Sequence, residues 1–280
     1  MPKPAAKTNV TPLKQTIQTE MVKVDSETAQ SWLDTCNTHN RKIREAHVLT
    51  MARDMNKGRW SFNGAPIVFG TDGTLLDGQH RLAAVVKSKS AIPFLILRGV
   101  SEDAQHTMDT GARRTAADAW ELAGRDNNAR RITAVARFAL IVDDKVDNEK
   151  VSTAEIFDFV DQNPLIVQAV DRAGANFKSS GMTPRVYDYC LWRLSEVDQE
   201  AALEFFRSLH SLTDLPEGSP ITALHRRLMA GNYTSRRQLD AEATVSLVFR
   251  AWNAWREGRP VTKLYAVGRT GNKVNIPVPA

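Results

Sequence analysis

The chain has 280 residues, 42% hydrophobic and 25% charged; this ordinary globular usage excludes a wholly disordered or collagen-like chain and, at roughly 100–200 residues per domain, suggests two packed units. The longest nearly unbroken apolar stretch, Ala91 to Leu97, contains Pro93 and is far below the roughly 18 residues of a spanning helix, so no membrane contact is expected. Thirty-seven Lys and Arg against 32 Asp and Glu give a net charge of +5, a mild balance compatible with a polyanionic partner.

In chain order, residues 1–20 read as a flexible basic arm, interrupted by Pro2, Pro4 and Pro12. No apolar run follows Met1-Pro2-Lys3-Pro4, which argues against a secretory leader. Cys36 and Cys190 are the two cysteines, too few and too far apart for a disulfide framework or structural zinc site; the expected location is the cytoplasm. Met21 to Val24 alternates like a short strand, and Ser26 to Asn37 has helical spacing. A second amphipathic helix runs through Val48, Met51, Ala52 and Met55 and ends at Gly58. Pro66 to Phe69, the Asp72-Gly73 turn and Thr74 to Leu76 read as a hairpin, followed by a helix over Gln79 to Ser88 and a buried strand over Pro93 to Leu97.

Beyond Ser101 the signatures are helical: Glu102 to Met108, Thr115 to Ala123, Ala129 to Val142 and a capping box, Ser152-x-x-Glu155, opening the next helix. Further helices are expected over Asn163 to Ala173, Pro184 to Leu194, Gln199 to Leu209, Ile221 to Met229 and Arg236 to Arg256. The fold class is α+β: an arm over 1–20, a small mixed-sheet domain over 21–114, a helical domain over 115–260 and a basic tail over 261–280. Trp252 and Trp255, three apart on the last helix, read as core.

The densest chemistry lies in Asp77-Gly78-Gln79-His80-Arg81, where a strand stops at a glycine and a helix starts at once. First-turn N–H groups lack intrahelical partners and carry the positive end of the macrodipole, Gly78 allows close approach, and His80 and Arg81 add donors. A nucleotide phosphate suits that geometry; the alternative is that Asp77 caps the helix and His80-Arg81 is an exposed polar pair.

Gly78-Gln79-His80-Arg81-Leu82-Ala83-Ala84, after a hairpin and before a strand, resembles the ParB/sulfiredoxin superfamily, in particular its phage and actinobacterial ParB-like branch with an Asp-Gly-Gln-His-Arg box. The resemblance covers about Val22 to Arg114. The ParB box reads Gly-Glu-Arg-Arg-x-Arg-Ala and binds the triphosphate of CTP; Gly78, Arg81 and Ala84 match it, while Gln79, His80 and Ala83 depart from it. The resemblance implies a mixed-sheet domain of that superfamily, phage or mobile-element origin, a nucleoside triphosphate (CTP or ATP), DNA as partner and a homodimer as an assembly. Sulfiredoxin carries a redox cysteine where this chain has Gln79, and an amide cannot supply a thiolate, so that activity is excluded. Free-serine kinases of the same fold carry an Asp-Gly-His-His-Arg box, so triphosphatase or phosphotransferase chemistry stays open, with Asp77 and Asp109 as candidate catalytic carboxylates and Mg²⁺ as the accompanying ion. A nuclease, or an interaction or inhibitor protein retaining the fold, stays open as well.

Thr107 to Arg114 forms a second constellation. Thr110 and Arg113 suit a lid over a polyphosphate, although Asp109-Thr110 also fits an ordinary turn. Asn40-Arg41-Lys42 occupies the place of the first basic box of ParB proteins and reads as a charged linker. For DNA, the cations are Arg114 and the doublets Arg130-Arg131, Arg226-Arg227 and Arg236-Arg237. Thr115 to Ala136, with Gly124 in its turn, has the length of a helix-turn-helix, but Trp120 is bulky where such units want a small residue, which favours a plain αα-hairpin. The expectation is a nucleotide-binding, DNA-associated protein in which nucleotide selects one of two arrangements.

Overall fold

The computed structural model describes residues 17–38, 40–108, 114–125, 128–144, 151–232, 240–265 and 274–280. It is a mixed α+β structure in two compact units, Met1–Ala112 and Arg113–Ala280. No helix among the described residues is long and apolar enough to cross a membrane.

The first unit contains β1 (Gln18–Val24), α1 (Ser26–Cys36), α2 (Glu45–Asn56), β2 (Ile67–Gly70), β3 (Leu75–Asp77), α3 (Gln79–Ser88) and β4 (Ile92–Val100). The sheet order is β1-β4-β2-β3, with β4 antiparallel to β1 and parallel to β2, and β2 antiparallel to β3. Helix α3 is therefore the crossover that carries the chain from the hairpin edge back beside β2. Ile92, Phe94 and Ile96 alternate inward along β4 and meet Val24, Ile67, Phe69 and Leu75 of the other strands and Leu82 and Val85 of α3. Pro93 is tolerated in this strand because β2 joins β4 only from Ile67 opposite Ile96, beyond the proline.

Strand β1 starts at Gln18, three residues before the expected Met21, because Gln18, Thr19 and Glu20 pair with Arg98, Leu97 and Ile96. Their side chains are exposed, so backbone pairing orders them with no apolar signature; these residues leave the expected arm. Residues 102–107 form a short 3₁₀ segment rather than the expected α-helix. Glu102 turns back onto the β2–β3 hairpin, accepting hydrogen bonds from Thr71 N (2.8 Å), Thr71 Oγ1 (2.7 Å) and Asp72 N (3.2 Å). These bonds, the Thr71 hydroxyl foremost, hold its carboxyl down at about 2.

The second unit contains no strand among its described residues and is built from α4 (Ala116–Leu122), α5 (Ala129–Val142), α6 (Thr153–Gln162), α7 (Leu165–Ala173), α8 (Pro184–Val197), α9 (Gln199–Ser211), α10 (Pro220–Asn232) and α11 (Ala241–Arg256). Thr115 and Ser152 close capping boxes with Asp118 and Glu155, and Asp198 and Asp240 cap α9 and α11. Helix α8 is the hub, packing on α5, α7, α9 and α11, and Tyr187, Tyr189, Cys190, Leu191, Trp192 and Leu194 are all buried on it. Trp120 is also buried, edge-on to Phe157 at 5.0 Å, beside the Gly124 turn that joins α4 to α5. Trp252 is fully buried with Trp255 packed beside it at 5.5 Å, in line with a core role.

One expectation changes here. Helix α11 starts at Ala241 on the Asp240 cap rather than at Arg236. Residues 274–280 are laid along α11: Ser246 Oγ donates to Asn275 O (3.1 Å), Asn253 Nδ2 to Val278 O (2.8 Å) and Trp252 Nε1 to Ala280 O (2.8 Å). A buried indole N–H needs an acceptor, and this backbone supplies it.

Candidate anion-binding site

The β3–α3 junction turns on Gly78, whose φ of +109° is a left-handed conformation. An added Cβ would lie 2.5 Å from Ile67 Cδ1 and 3.3 Å from Ile67 Cα, so glycine is required by both backbone and space. The first-turn N–H groups of Gln79, His80 and Arg81 have no intrahelical carbonyl to bind.

The side chains of the box divide into two sets. Arg81 folds inward, its Nη2 donating to Asp77 Oδ2 (2.7 Å) and to Pro66 O (2.7 Å), while Asp77 Oδ1 accepts the Gly78 N–H (2.7 Å). Asp77 is thus a strut between the strand end and the helix, with a hydrogen bond on each carboxylate oxygen. Of the Arg81 guanidinium, Nη2 is engaged by Asp77 and Pro66, and Nε is buried with no hydrogen-bond partner among the described residues. Gln79 is 5% exposed; its Nε2 donates to Arg41 O (2.9 Å) and its Oε1 accepts from Asn37 Nδ2 (3.4 Å). It fastens the 37–44 segment to α3 and does not present its amide to a ligand.

That leaves His80. Its Nε2 accepts the Arg44 backbone N–H at 3.1 Å, which places the proton of the neutral ring on Nδ1 as an available donor. Burial first, then the charges of His47, Arg41 and Arg44, hold its pKa below the usual histidine range, against the opposing pull of Asp77. The His47 ring lies 5.6 Å from it. The segment that brings these cations in is held by Asn40, whose Nδ2 donates to Leu75 O (2.5 Å) and Asn37 Oδ1 (2.8 Å), and by Gln105, whose Nε2 donates to Asn40 Oδ1 (3.1 Å) and Leu76 O (3.2 Å).

Sequence reasoning treated Arg41 as part of a charged linker and passed over Arg44 and His47. Their place at the helix start depends on hydrogen bonds between residues roughly 35–40 apart in sequence, and no local pattern encodes those. Asp109, Thr110 and Arg113 lie outside the described residues. No group of three or more His, Cys, Asp or Glu side chains that could hold a metal ion occurs among the described residues.

In the helical unit, Arg114 and Arg130 are exposed and line, with Arg137, a cleft of about 600 Å³ at the α4–α5–α6 corner. Arg131, the other half of that doublet, is corrected: it turns inward and forms a fork on the fully buried Asp188, with Nε to Oδ2 at 2.8 Å and Nη2 to Oδ1 at 2.5 Å. A buried carboxylate needs that partner, and burial still pushes the Asp188 pKa up against the pull of Arg131. On α10, Arg226 is exposed and Arg227 half-buried. Arg236 and Arg237 lie outside the described residues. Comparisons with protein-family models, curated proteins and solved structures each return no match for this chain.

Proposed function

We propose that the chain is a ParB-like, DNA-associated protein that binds nucleotide phosphate at the start of α3. The observation carrying this reading is His80: a half-buried ring in the first turn of α3 whose Nε2 accepts the Arg44 N–H and whose Nδ1 is left to donate, close enough to Arg41, Arg44 and His47 for their charges to depress its pKa. First-turn N–H groups without intrahelical partners and nearby cationic side chains are elements a triphosphate uses. The mixed sheet with the box at its β3–α3 junction is compatible with the superfamily arrangement. The box side chains act unequally in this reading: Asp77, Gln79 and Arg81 shape the junction, while His80 and the Arg41–His47 segment meet the anion. CTP or ATP, with Mg²⁺ neutralising the phosphates, is the proposed ligand.

Isothermal titration of CTP, ATP and GTP, with and without Mg²⁺, tests the site. An Arg41→Ala/Arg44→Ala variant keeps the backbone N–H that supports His80 and is expected to weaken binding by at least about tenfold, the scale of one or two charge-assisted hydrogen bonds. Absence of saturable binding by all three nucleotides overturns the reading. For DNA, the proposed phosphate contacts are Arg114 and Arg130 on their cleft and Arg226 on α10. Removing Arg114 and Arg130 together should lower the slope of log affinity against log salt by about two on duplex DNA; an unchanged slope removes those contacts.

A further inference from the structure

We infer that the cleft between α7, α8 and α9 is a second binding site, for a small organic anion: a carboxylate or phosphate monoester carrying an aromatic or branched-aliphatic body. The cleft measures about 490 Å³, within the range that small-molecule sites occupy. Its apolar floor is Tyr187, Leu191 and Phe206, all buried, with the Tyr187 and Phe206 rings 4.7 Å apart.

One wall is a chain of hydrogen bonds. Tyr187 Oη lies 2.9 Å from His210 Nε2, and His210 Nδ1 lies 3.1 Å from Ser179 Oγ, which donates to Asn176 O at 3.2 Å. With the serine proton on Asn176 O, His210 Nδ1–H donates to Ser179 and Nε2 accepts from Tyr187, a tautomer inferred from the network. Burial and the neighbouring His225 keep this imidazole below the ordinary histidine range, so the wall is polar but uncharged.

The charge is at the mouth. Arg172 on α7 and Arg207 on α9 both line the cleft, both are exposed, and neither has a hydrogen bond or ion pair to another described residue. Several other arginines of the unit are matched with carboxylates, among them Arg125 with Asp161, Arg131 with Asp188 and Arg256 with Asp198. No Asp or Glu lines this cleft. Two unmatched guanidiniums above an acid-free, apolar-floored concavity are complementary to an anion with an apolar body. A bare inorganic ion would leave the floor uncovered.

The test is titration of the full chain with phenyl phosphate, benzoate and inorganic phosphate. Phenyl phosphate or benzoate should saturate at one per chain, and whichever saturates identifies the head group; inorganic phosphate should bind at least about tenfold more weakly. An Arg172→Ala/Arg207→Ala variant, altered only at exposed side chains, should lose at least about tenfold in affinity while its circular dichroism and melting temperature match the wild type. The His210 ring resonances should shift on ligand addition. Failure of both organic anions to saturate overturns the proposal, as does unchanged affinity in the double variant. The Arg41→Ala/Arg44→Ala variant separates the two sites: it should leave this binding intact, and loss of it there would place the ligand at α3 and also overturn the proposal.

Discussion

The α3 junction and the α5–α8 contact use arginine in opposite ways. At the junction, charges from a distant loop gather around an uncharged imidazole, and backbone carbonyls and amides do the fastening. Between α5 and α8, Arg131 neutralises Asp188 inside the helical unit, while Arg130, its neighbour in sequence, stays at the surface. Adjacent cations on a helix point about 100° apart, so one member of a doublet can belong to the core and the other to solvent. A count of basic doublets therefore overstates the charge a polyanion can meet.

The sharpest way to break that contrast is to remove each member of the doublet. Arg131→Ala should cost about 3–5 kcal/mol, since it strands a buried carboxylate, whereas Arg130→Ala should stay within about 0.5 kcal/mol; urea denaturation reads both. The Arg131→Ala deficit should narrow as pH falls through the raised Asp188 titration, because a protonated carboxyl no longer needs the guanidinium. Equal effects of the two substitutions would erase the distinction. Next in size, Gly78→Ala should cost about 1–3 kcal/mol through its left-handed backbone, together with the clash on Ile67, and should weaken nucleotide binding by displacing the α3 start. An unaltered melting temperature would show that the junction is not built as described.

The smallest effect concerns the hairpin that delivers Gly78. The folded Glu102 pKa lies below its ordinary 4.5, at about 2, so its contribution is complete above about pH 4.5 and is lost as pH falls toward 2. In a carboxyl-carbon titration by NMR, Thr71→Ala should move the Glu102 midpoint upward, as the Thr71 hydroxyl is the largest cause of the shift. A wild-type midpoint near 4.5 would remove the hairpin clamp.

What could be read in advance was local. The Ser152-x-x-Glu155 box marks α6 because its two hydrogen bonds span three residues, and the strand, Gly78 and helix signals lie within a few positions of one another. The unread features are pairings across the chain. Arg131 and Asp188 are 57 residues apart, and nothing near Arg131 distinguishes it from Arg130. The start of β1 was hidden because Gln18 to Glu20 are exposed, and the lie of 274–280 along α11 because it depends on an indole N–H 28 residues away. In the candidate site, the box was legible as a strand–glycine–helix pattern, but the inward turn of Gln79 and Arg81 and the approach of Arg44 and His47 were set by tertiary hydrogen bonds.

Cys190, on the hub helix, has no exposed surface and a thiol pushed well above its usual pKa by burial, whereas Cys36 at the end of α1 is half-buried. The two sulfurs divide the molecule between them, one to each unit. A thiol-specific reagent can reach Cys190 only through opening of the helical core, because the reactive thiolate is suppressed and enclosed in the packed state. The chain therefore carries a built-in clock with its own reference: the rate of labelling at Cys190 times the opening of the helical unit, and the partly exposed Cys36 reports reaction that needs no such opening.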